Sequence, residues 1–442
     1  MIEQEDLRLI SRFDFDQIDV DSLERFISHV NGDCSLRQEF PRKHPQAISD
    51  WLNHGWKFIA ERFRDGSGES IVKFSTTWAR LSRDTVGGMN SLQDSCRPAI
   101  DHLIQILWFT SAIARLDHDD FRDLNRYGIQ ALSNLVTSNP VSLEYAWDLL
   151  VNCEERQSAL LRLLYTQDHR LLLTISVLVL NSVYKSPQRI QSLTQTPIGK
   201  SVMTMLLERL DSLLDDVDVV FEVVVNLIRQ IIDIDPNSQI PLLYESQATP
   251  SQKLSPAQLS ILKVLDCSTL PCSAFLVDKF LKFTKSLEDC WQGFVLVADM
   301  LIHQLEKMQG ACDEKIFRLD DNESKEVVTI SIQILQGLST DDTSSEKGQD
   351  SQNQQRKNTQ IKISLVKLLT ALVDFKGKSV QDLIRELNGI AIILGFTKLD
   401  DQAPYLREHS LFLIRYLLRE NLENQEIVKN MRPITITKHS PV

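Results

Sequence analysis

The sequence predicts an all-α chain whose helices stack into an extended solenoid, and three observations carry that expectation. Apolar residues recur at three- and four-residue spacing almost throughout the 442 residues. Only 15 Gly and 14 Pro punctuate them, about half the usual share of breakers. Strict alternation over four or more residues is rare, with Ile434 to Thr437 its clearest instance, so an all-β fold is excluded. With 43% hydrophobic and 24% charged residues, the chain has the material for a large core and is not disordered as a whole.

Along the chain, Met1 to Asp16 carries Glu3, Glu5, Asp6, Asp14 and Asp16 and no apolar run of signal-peptide length, so neither secretion nor mitochondrial import is expected. Arg37 to Lys43 holds three cations with Glu39 among them and reads as a solvated loop. Ile100, Leu103, Ile104, Leu107, Trp108, Ser111, Ala112 and Ala114 form a wide stripe on one helical face. The same period runs from Phe121 to Val136, Val141 to Leu150 and Ala159 to Tyr165, and again from Val202 to Leu214 and Val217 to Ile232. Leu171 to Tyr184 is a strongly apolar uncharged run; its 14 residues fall short of the roughly 20 that a spanning helix needs, which makes it a buried core helix.

Pro236 to Pro256, with four prolines and several Ser and Gln, reads as a connector whose patch Ile240 to Tyr244 can dock on helices. Helical periodicity resumes at Ala257 to Leu265, Phe275 to Phe283, Trp291 to Met308 and Val327 to Leu338. Ser339 to Thr359 contains no large apolar residue and is expected to be a disordered surface loop, because it has nothing to bury against its ordering entropy. Ile361 to Phe375, Val380 to Leu394 and Leu406 to Leu418 complete the helices. The expected layout is an N-terminal helical block at 1–235, a connector at 236–256, a continuing block at 257–338, a polar loop at 339–359, a C-terminal domain at 360–432 and a tail at 433–442.

Internal repetition identifies the kind of solenoid. Gln381-Asp382-Leu383-Ile384-Arg385-Glu386-Leu387-Asn388-Gly389-Ile390 aligns without gaps on Gln425-Glu426-Ile427-Val428-Lys429-Asn430-Met431-Arg432-Pro433-Ile434, an offset of 44 residues. Most pairs are identical or chemically alike, and the offset lies in the range of about 40 to 47 of armadillo and HEAT repeats. A second echo links Ala131 to Asn139 with Leu413 to Asn421, each a long apolar helix ending at Asn. Such units cannot bury their faces alone and stack on their neighbours. The expected fold is therefore an armadillo/HEAT-like right-handed superhelical solenoid, with an irregular helical bundle as the alternative.

The stretch Ile361 to Met431 resembles the C-terminal domain of the ataxin-10 family of armadillo-like proteins. The resemblance rests on Gly389-Ile390, Leu394, Asp400-Asp401, Pro404-Tyr405, Arg407-Glu408-His409, Ile414-Arg415-Tyr416-Leu417 and Glu423-Asn424-Gln425, which keep the family's order and spacing. Tyr416 stands where the family usually has Asn. The resemblance implies a solenoid that binds other proteins, associated with cell division, cytokinesis, cell survival and signalling rather than with a reaction. One fungal branch of the family bears a copper-transport name. Copper needs clustered soft ligands, and only Met203-Thr204-Met205 and the Cys267 to Cys272 spacing come near, both among helix-forming apolar residues, so packing is the favoured reading.

Other chemistries fail on spacing or context. Gly199-Lys200-Ser201 and Gly377-Lys378-Ser379 have Thr194 and Leu372 where a phosphate-binding loop needs its first Gly. Gly66-Ser67-Gly68 reads as a surface turn rather than a nucleophile elbow. His118-Asp119-Asp120 reads as a helix start, with Asp119 or Asp120 capping a helix from Phe121. Cys267, Cys272, Cys290 and Cys312 lack zinc-knuckle spacing. Asp211, Asp215, Asp216 and Asp218 form an acidic cluster at a helix junction.

The net charge of -12, without an overriding basic stripe, argues against nucleic acid as a partner. Seven cysteines in a chain without a secretion signal fit a reducing compartment, so a cytoplasmic location is expected. The functional expectation is a non-enzymatic scaffold, without cofactor or metal, that holds an extended peptide or partner helix against the third helix of each repeat. Asn134 and Tyr416, which match in the second echo, are the candidate groove contacts. Three rivals stand beside it. A helical enzyme needs converging polar residues, a copper handler needs bound metal, and a nuclear-transport adaptor needs periodic Trp and Asn, which the six Trp do not show.

Overall fold

The computed structural model describes residues 44–86, 90–112, 118–154, 158–213, 219–267, 273–308, 319–340, 349–398 and 403–431. The acidic N-terminal stretch, the Arg37 to Lys43 loop, Cys272, Cys312, the aspartates from Asp215 to Asp218, the alternating Ile434 to Thr437 stretch and the tail lie outside these residues. Among the described residues there are 21 α-helices and no strand. The chain divides into two units, Met1–Ile234 and Asp235–Val442.

In the first unit, α1 (Pro45–Arg64), α2 (Val72–Val86), α3 (Asn90–Ser95), α4 (Arg97–Thr110), α5 (Asp119–Val136) and α6 (Pro140–Leu150) follow one another. They continue as α7 (Ala159–Leu163), α8 (His169–Val183), α9 (Pro187–Gln195), α10 (Pro197–Leu213) and α11 (Val219–Ile232). Two rows run through this unit. Helices α2, α5, α8 and α11 each pack on the next, and so do α1, α4, α7 and α10. The helices α3, α6 and α9 tie the rows together, α3 on α1 and α4, α6 on α4 and α5, α9 on α8 and α10. Each repeat therefore contributes a first helix, a second-row helix and a third-row helix, the stacking expected of an armadillo-like chain.

Hydrogen bonds across a repeat and between neighbouring repeats carry the period directly. Gln93 Nε2 donates to the Asn134 and Thr137 carbonyls (2.7 and 2.8 Å), Tyr145 to Asp101 (2.6 Å), Arg189 to Glu144 (2.8 Å) and Arg209 to the Leu164 carbonyl (3.1 Å). These pairs are 41 to 45 residues apart. The core between the rows is dense, with Trp56, Trp78 and Trp147 almost fully buried. The Trp51 and Trp78 rings meet edge-on at 4.6 Å.

The turns explain why prolines do not break the stack. Asn139 and Ser186 each accept a hydrogen bond from the backbone N–H three residues on, Ser142 at 3.0 Å and Arg189 at 3.4 Å. Each is followed by a proline at the first helical position, where its missing N–H costs nothing. The residues just before these caps, Ser138 and Lys185, take positive φ of 62° and 53°. Glu420, before the cap Asn421, does the same at 56°. A left-handed residue that recurs at the same junction is part of the repeat and not an accident of one loop. His118, rather than Asp119 or Asp120, caps α5, and its Nδ1 accepts from the Asp120 N–H at 3.4 Å. The two aspartates instead occupy the first turn, where they complement the helix dipole.

In the second unit, α12 (Pro236–Ser246), α13 (Pro256–Asp266), α14 (Ser273–Phe283), α15 (Leu287–Met308) and α16 (Asp321–Thr340) lead into α17 (Gln349–Lys376). Then come α18 (Lys378–Glu386), α19 (Gly389–Gly395), α20 (Pro404–Leu418) and α21 (Leu422–Asn430). Again two rows form, α13, α15, α17 and α20 in one and α12, α14, α16 and α19 in the other. The first helices α18 and α21 pack on each other. They hold Gln381 and Gln425, so the 44-residue offset is the distance from one first helix to the next.

Two segments differ from expectation. Pro236 to Pro256 is not a bare connector, because its first half is helix α12, capped by Asp235 and burying Ile240, Leu243 and Tyr244. Pro241 lies inside that helix and forfeits one backbone bond, which the three buried side chains offset. Pro256 opens α13 behind a capping box in which Ser255 accepts from the Gln258 N–H (3.1 Å) and Gln258 Oε1 accepts from the Ser255 N–H (3.0 Å). Nor is Ser339 to Thr359 a disordered loop over its described part, since Ser339 and Thr340 end α16 and Gln349 to Thr359 begin α17. The packed half of α17, from Ile361 on, supplies the nucleus. Adding turns to an existing helix needs no apolar burial, and Lys357 Nζ anchors the polar half by donating to the Glu288 carbonyl at 2.8 Å.

Candidate partner-binding face

Buried side chains on the third-row helices fall on the faces that touch their neighbours, leaving one strip of each helix half-exposed. On α2 that strip holds Arg80, Arg83 and Asp84, and on α5 it holds Asp123, Arg126, Tyr127, Gln130 and Asn134. Stacking α2 on α5 brings the two sets together. Arg83 donates to Asp84 (2.7 Å) and to Gln130 Oε1 (3.0 Å), and Arg126 pairs with Asp123 (3.0 Å). The guanidinium carbons of Arg80, Arg83 and Arg126 stand 5.6, 5.0 and 4.8 Å from the centre of the Tyr127 ring, within cation–π range. The next helix in the row, α8, turns Leu173, Val177 and Leu180 half-exposed and Asn181 and Tyr184 exposed on its strip.

Asn134 and Tyr416 occupy corresponding places, each five residues before the cap of the helix that follows. Asn134 Nδ2 donates to the Arg83 carbonyl at 2.7 Å, so its amide holds α5 to α2 while its flank remains half-exposed beside Tyr127 and Gln130. Tyr416 is half-exposed on α20, where burial and the nearby Lys367 also depress the His409 imidazole below its ordinary value, against the pull of Glu408. Reasoning from the sequence alone missed Asn181 and Gln230, which stand five residues before the caps Ser186 and Asp235. The available signal was Asn139-Pro140, Ser186-Pro187 and Asp235-Pro236, a cap followed by proline at spacings of 47 and 49 residues.

One clamp holds the strip in register, and both units contain it. Gln93 grips the C-terminal carbonyls of α5, and Asn139 donates to the adjacent Asp94 at 2.9 Å. In the second unit Gln381 donates to the Tyr416 (2.9 Å) and Arg419 (3.1 Å) carbonyls. Asn421 donates to Gln381 Oε1 (3.0 Å) and to Asp382 (2.9 Å). These bonds join the end of a third helix, the first helix of the same repeat and the cap after it, which fixes where Asn134 and Tyr416 sit.

Met203 is fully buried in α10, where it serves as core packing, while Cys267 is exposed. Among the described residues, no group of three or more His, Cys, Asp or Glu side chains is placed to hold a metal ion. No helix among them is long and apolar enough to cross a membrane.

Comparison with known proteins locates the second unit. Residues 361–442 match the family model described as the spinocerebellar ataxia type 10 protein domain. The chain is 40% identical over 70 residues to the ataxin-10 homolog of Saccharomyces cerevisiae, a match covering 16% of this chain and 12% of that protein. It is 42% identical over 67 residues to the ataxin-10 homolog of Schizosaccharomyces pombe, covering 15% of each. Bos taurus ataxin-10 is 37% identical over 71 residues, 16% of this chain and 15% of that protein. The matched segment thus spans about one-seventh of the curated relatives' length. Within residues 361–442 lie the clamp of Gln381 and Asn421 and the third helix that carries Tyr416, so the similarity to ataxin-10 proteins falls on this C-terminal domain.

Proposed function

We propose that this chain is a non-enzymatic, cytoplasmic scaffold that holds extended peptides or helices of partner proteins on the strips of its third-row helices. The observation that supports this reading is the strip of half-exposed polar and aromatic side chains on α2 and α5, locked in register by side-chain bonds and followed on α8 by Leu173, Val177, Leu180 and the exposed Asn181 and Tyr184. A solenoid whose repeats touch only their neighbours offers an elongated surface of this kind in place of a single cleft. Asn134 and Tyr416 are assigned to partner contact, each by the flank that its own helix leaves open. By analogy with the family, the partners belong to cell division, cytokinesis and survival signalling.

The test is affinity capture with quantitative mass spectrometry, comparing the wild-type chain with Gln130→Glu/Asn181→Asp and with Tyr416→Ala. Partners lost from a strip variant whose melting temperature is unchanged support the reading. A set of partners that no strip variant alters, or a catalytic turnover in the purified chain, overturns it.

A further inference from the structure

Resting on that reading, we propose that Arg80, Arg126 and the ring of Tyr127 form a seat for the carboxylate side chain of an extended acidic peptide lying across α2, α5 and α8. Three guanidinium groups converge on one ring. Two carboxylates answer them, Asp84 on Arg83 and Asp123 on Arg126. Arg80 has no carboxylate partner among the described residues, and its Nε is buried without an acceptor. The cluster is thus a local excess of positive charge in a chain whose net charge is -12. With its Nε buried and the residue half-exposed, Arg80 would offer its terminal guanidinium nitrogens, a pair of donors that a carboxylate fills with paired bonds.

The surroundings choose the ligand. Asp84 and Asp123 flank the seat and oppose a polyphosphate chain, as the overall charge does. Beside it in the row, α8 offers Leu173, Val177 and Leu180, which suit an apolar side chain. Packed helices lie about 10 Å apart, and an extended chain covers about 3.3 Å per residue. An acidic residue at Tyr127 therefore places the residue three positions along over α8, so the peptide has the pattern Glu-x-x-Leu.

The probe is a fluorescein-labelled peptide of repeated Glu-Ser-Ser-Leu, titrated with the full chain and followed by fluorescence anisotropy, with Gln-Ser-Ser-Leu as its uncharged counterpart. The wild-type chain should bind the first peptide more tightly than the second and lose affinity as salt screens the contact. Arg80→Gln should weaken the Glu peptide by about tenfold or more while lowering the melting temperature only by the loss of its contact with the Tyr127 ring, since Arg80 pairs with no carboxylate among the described residues. Equal binding of the two peptides, undiminished binding by Arg80→Gln, or no binding by the wild type would each overturn this seat. None of those results touches the scaffold reading, which falls when strip substitutions leave the captured partners unchanged or when the purified chain shows turnover.

Discussion

Replacing Asn421 by Ala should cost the second unit about 2–4 kcal/mol, the sum of a lost cap and an orphaned acceptor. The side chain is 2% exposed, and each of its polar atoms is engaged. Its Oδ1 accepts from the Asn424 N–H at 3.2 Å as the cap of α21, a bond worth about 1 kcal/mol. Its Nδ2 satisfies Gln381 Oε1, which would be left buried and unpaired at a cost of about 1–3 kcal/mol. Hydrogen exchange of the full chain, read on fragments spanning α20 and α21, measures this unit without interference from the other. Fragments as protected as in the wild type, within about 0.5 kcal/mol, would show that the clamp carries no stability. A double-mutant cycle with Gln381→Ala should show that the two losses are not additive, because they break one network.

Acid titration gives the same clamp a second readout. Burial pushes the Asp382 carboxyl up, but hydrogen bonds from Asn421 and Arg385, with the charges of Arg385 and Lys378, outweigh it and hold the group below the usual carboxylate range. A carboxyl depressed in the folded state stabilises the fold above its unfolded pKa of about 4, and that stability is lost as pH falls through the folded value. Asn421→Ala removes one of the depressing bonds. The stability gap between variant and wild type should therefore narrow as pH drops below about 4, and a gap independent of pH would dissociate Asp382 from the clamp.

Leu413 is fully buried on α20, so Leu413→Ala should lower stability by about 2–5 kcal/mol in chemical denaturation, and an unchanged midpoint would contradict its place in the core. Gly199→Ala should destabilise by about 1–3 kcal/mol, because a Cβ there would stand 2.3 Å from the Ser192 carbonyl oxygen and 2.6 Å from Leu193 Cα, backbone atoms that cannot swing aside. A thermal melt unmoved by this change would mean that α9 and α10 do not cross so closely. Glu420→Gly should raise stability by roughly 0.5–1 kcal/mol, since Glu420 is exposed and holds a φ of 56° that only glycine adopts without steric cost. A lower melting temperature for this variant would argue against the left-handed turn.

The all-α class, the buried faces and the 44-residue offset were legible because burial imposes a period on each helix and stacking imposes a longer one on the chain. Proline misled at Pro236 and Pro256. Its usual meaning as a breaker is reversed when a capping Asp or Ser precedes it, as in Asp235-Pro236 and Ser255-Pro256. The polar stretch before Ile361 misled for a different reason. Composition tells whether a segment can fold alone, whereas Gln349 to Thr359 extend a helix that is anchored elsewhere.

The candidate site was hidden by geometry of another kind. Asn134 was visible through its echo with Tyr416, because both precede a cap that recurs, and caps leave local signatures. Arg80, Arg83, Arg126 and Tyr127 leave none. Each pair is an ordinary half-exposed element of its own helix, and more than 40 residues separate Arg83 from Arg126. Their convergence follows only from the packing of α2 on α5, and that register is set by Asn134 bonding the Arg83 carbonyl and by Gln93 gripping the end of α5. The residues that the sequence does reveal are thus those that position the repeats. A solenoid's binding chemistry is composed across the repeat boundary, so it becomes readable only after the period and the clamp have been found.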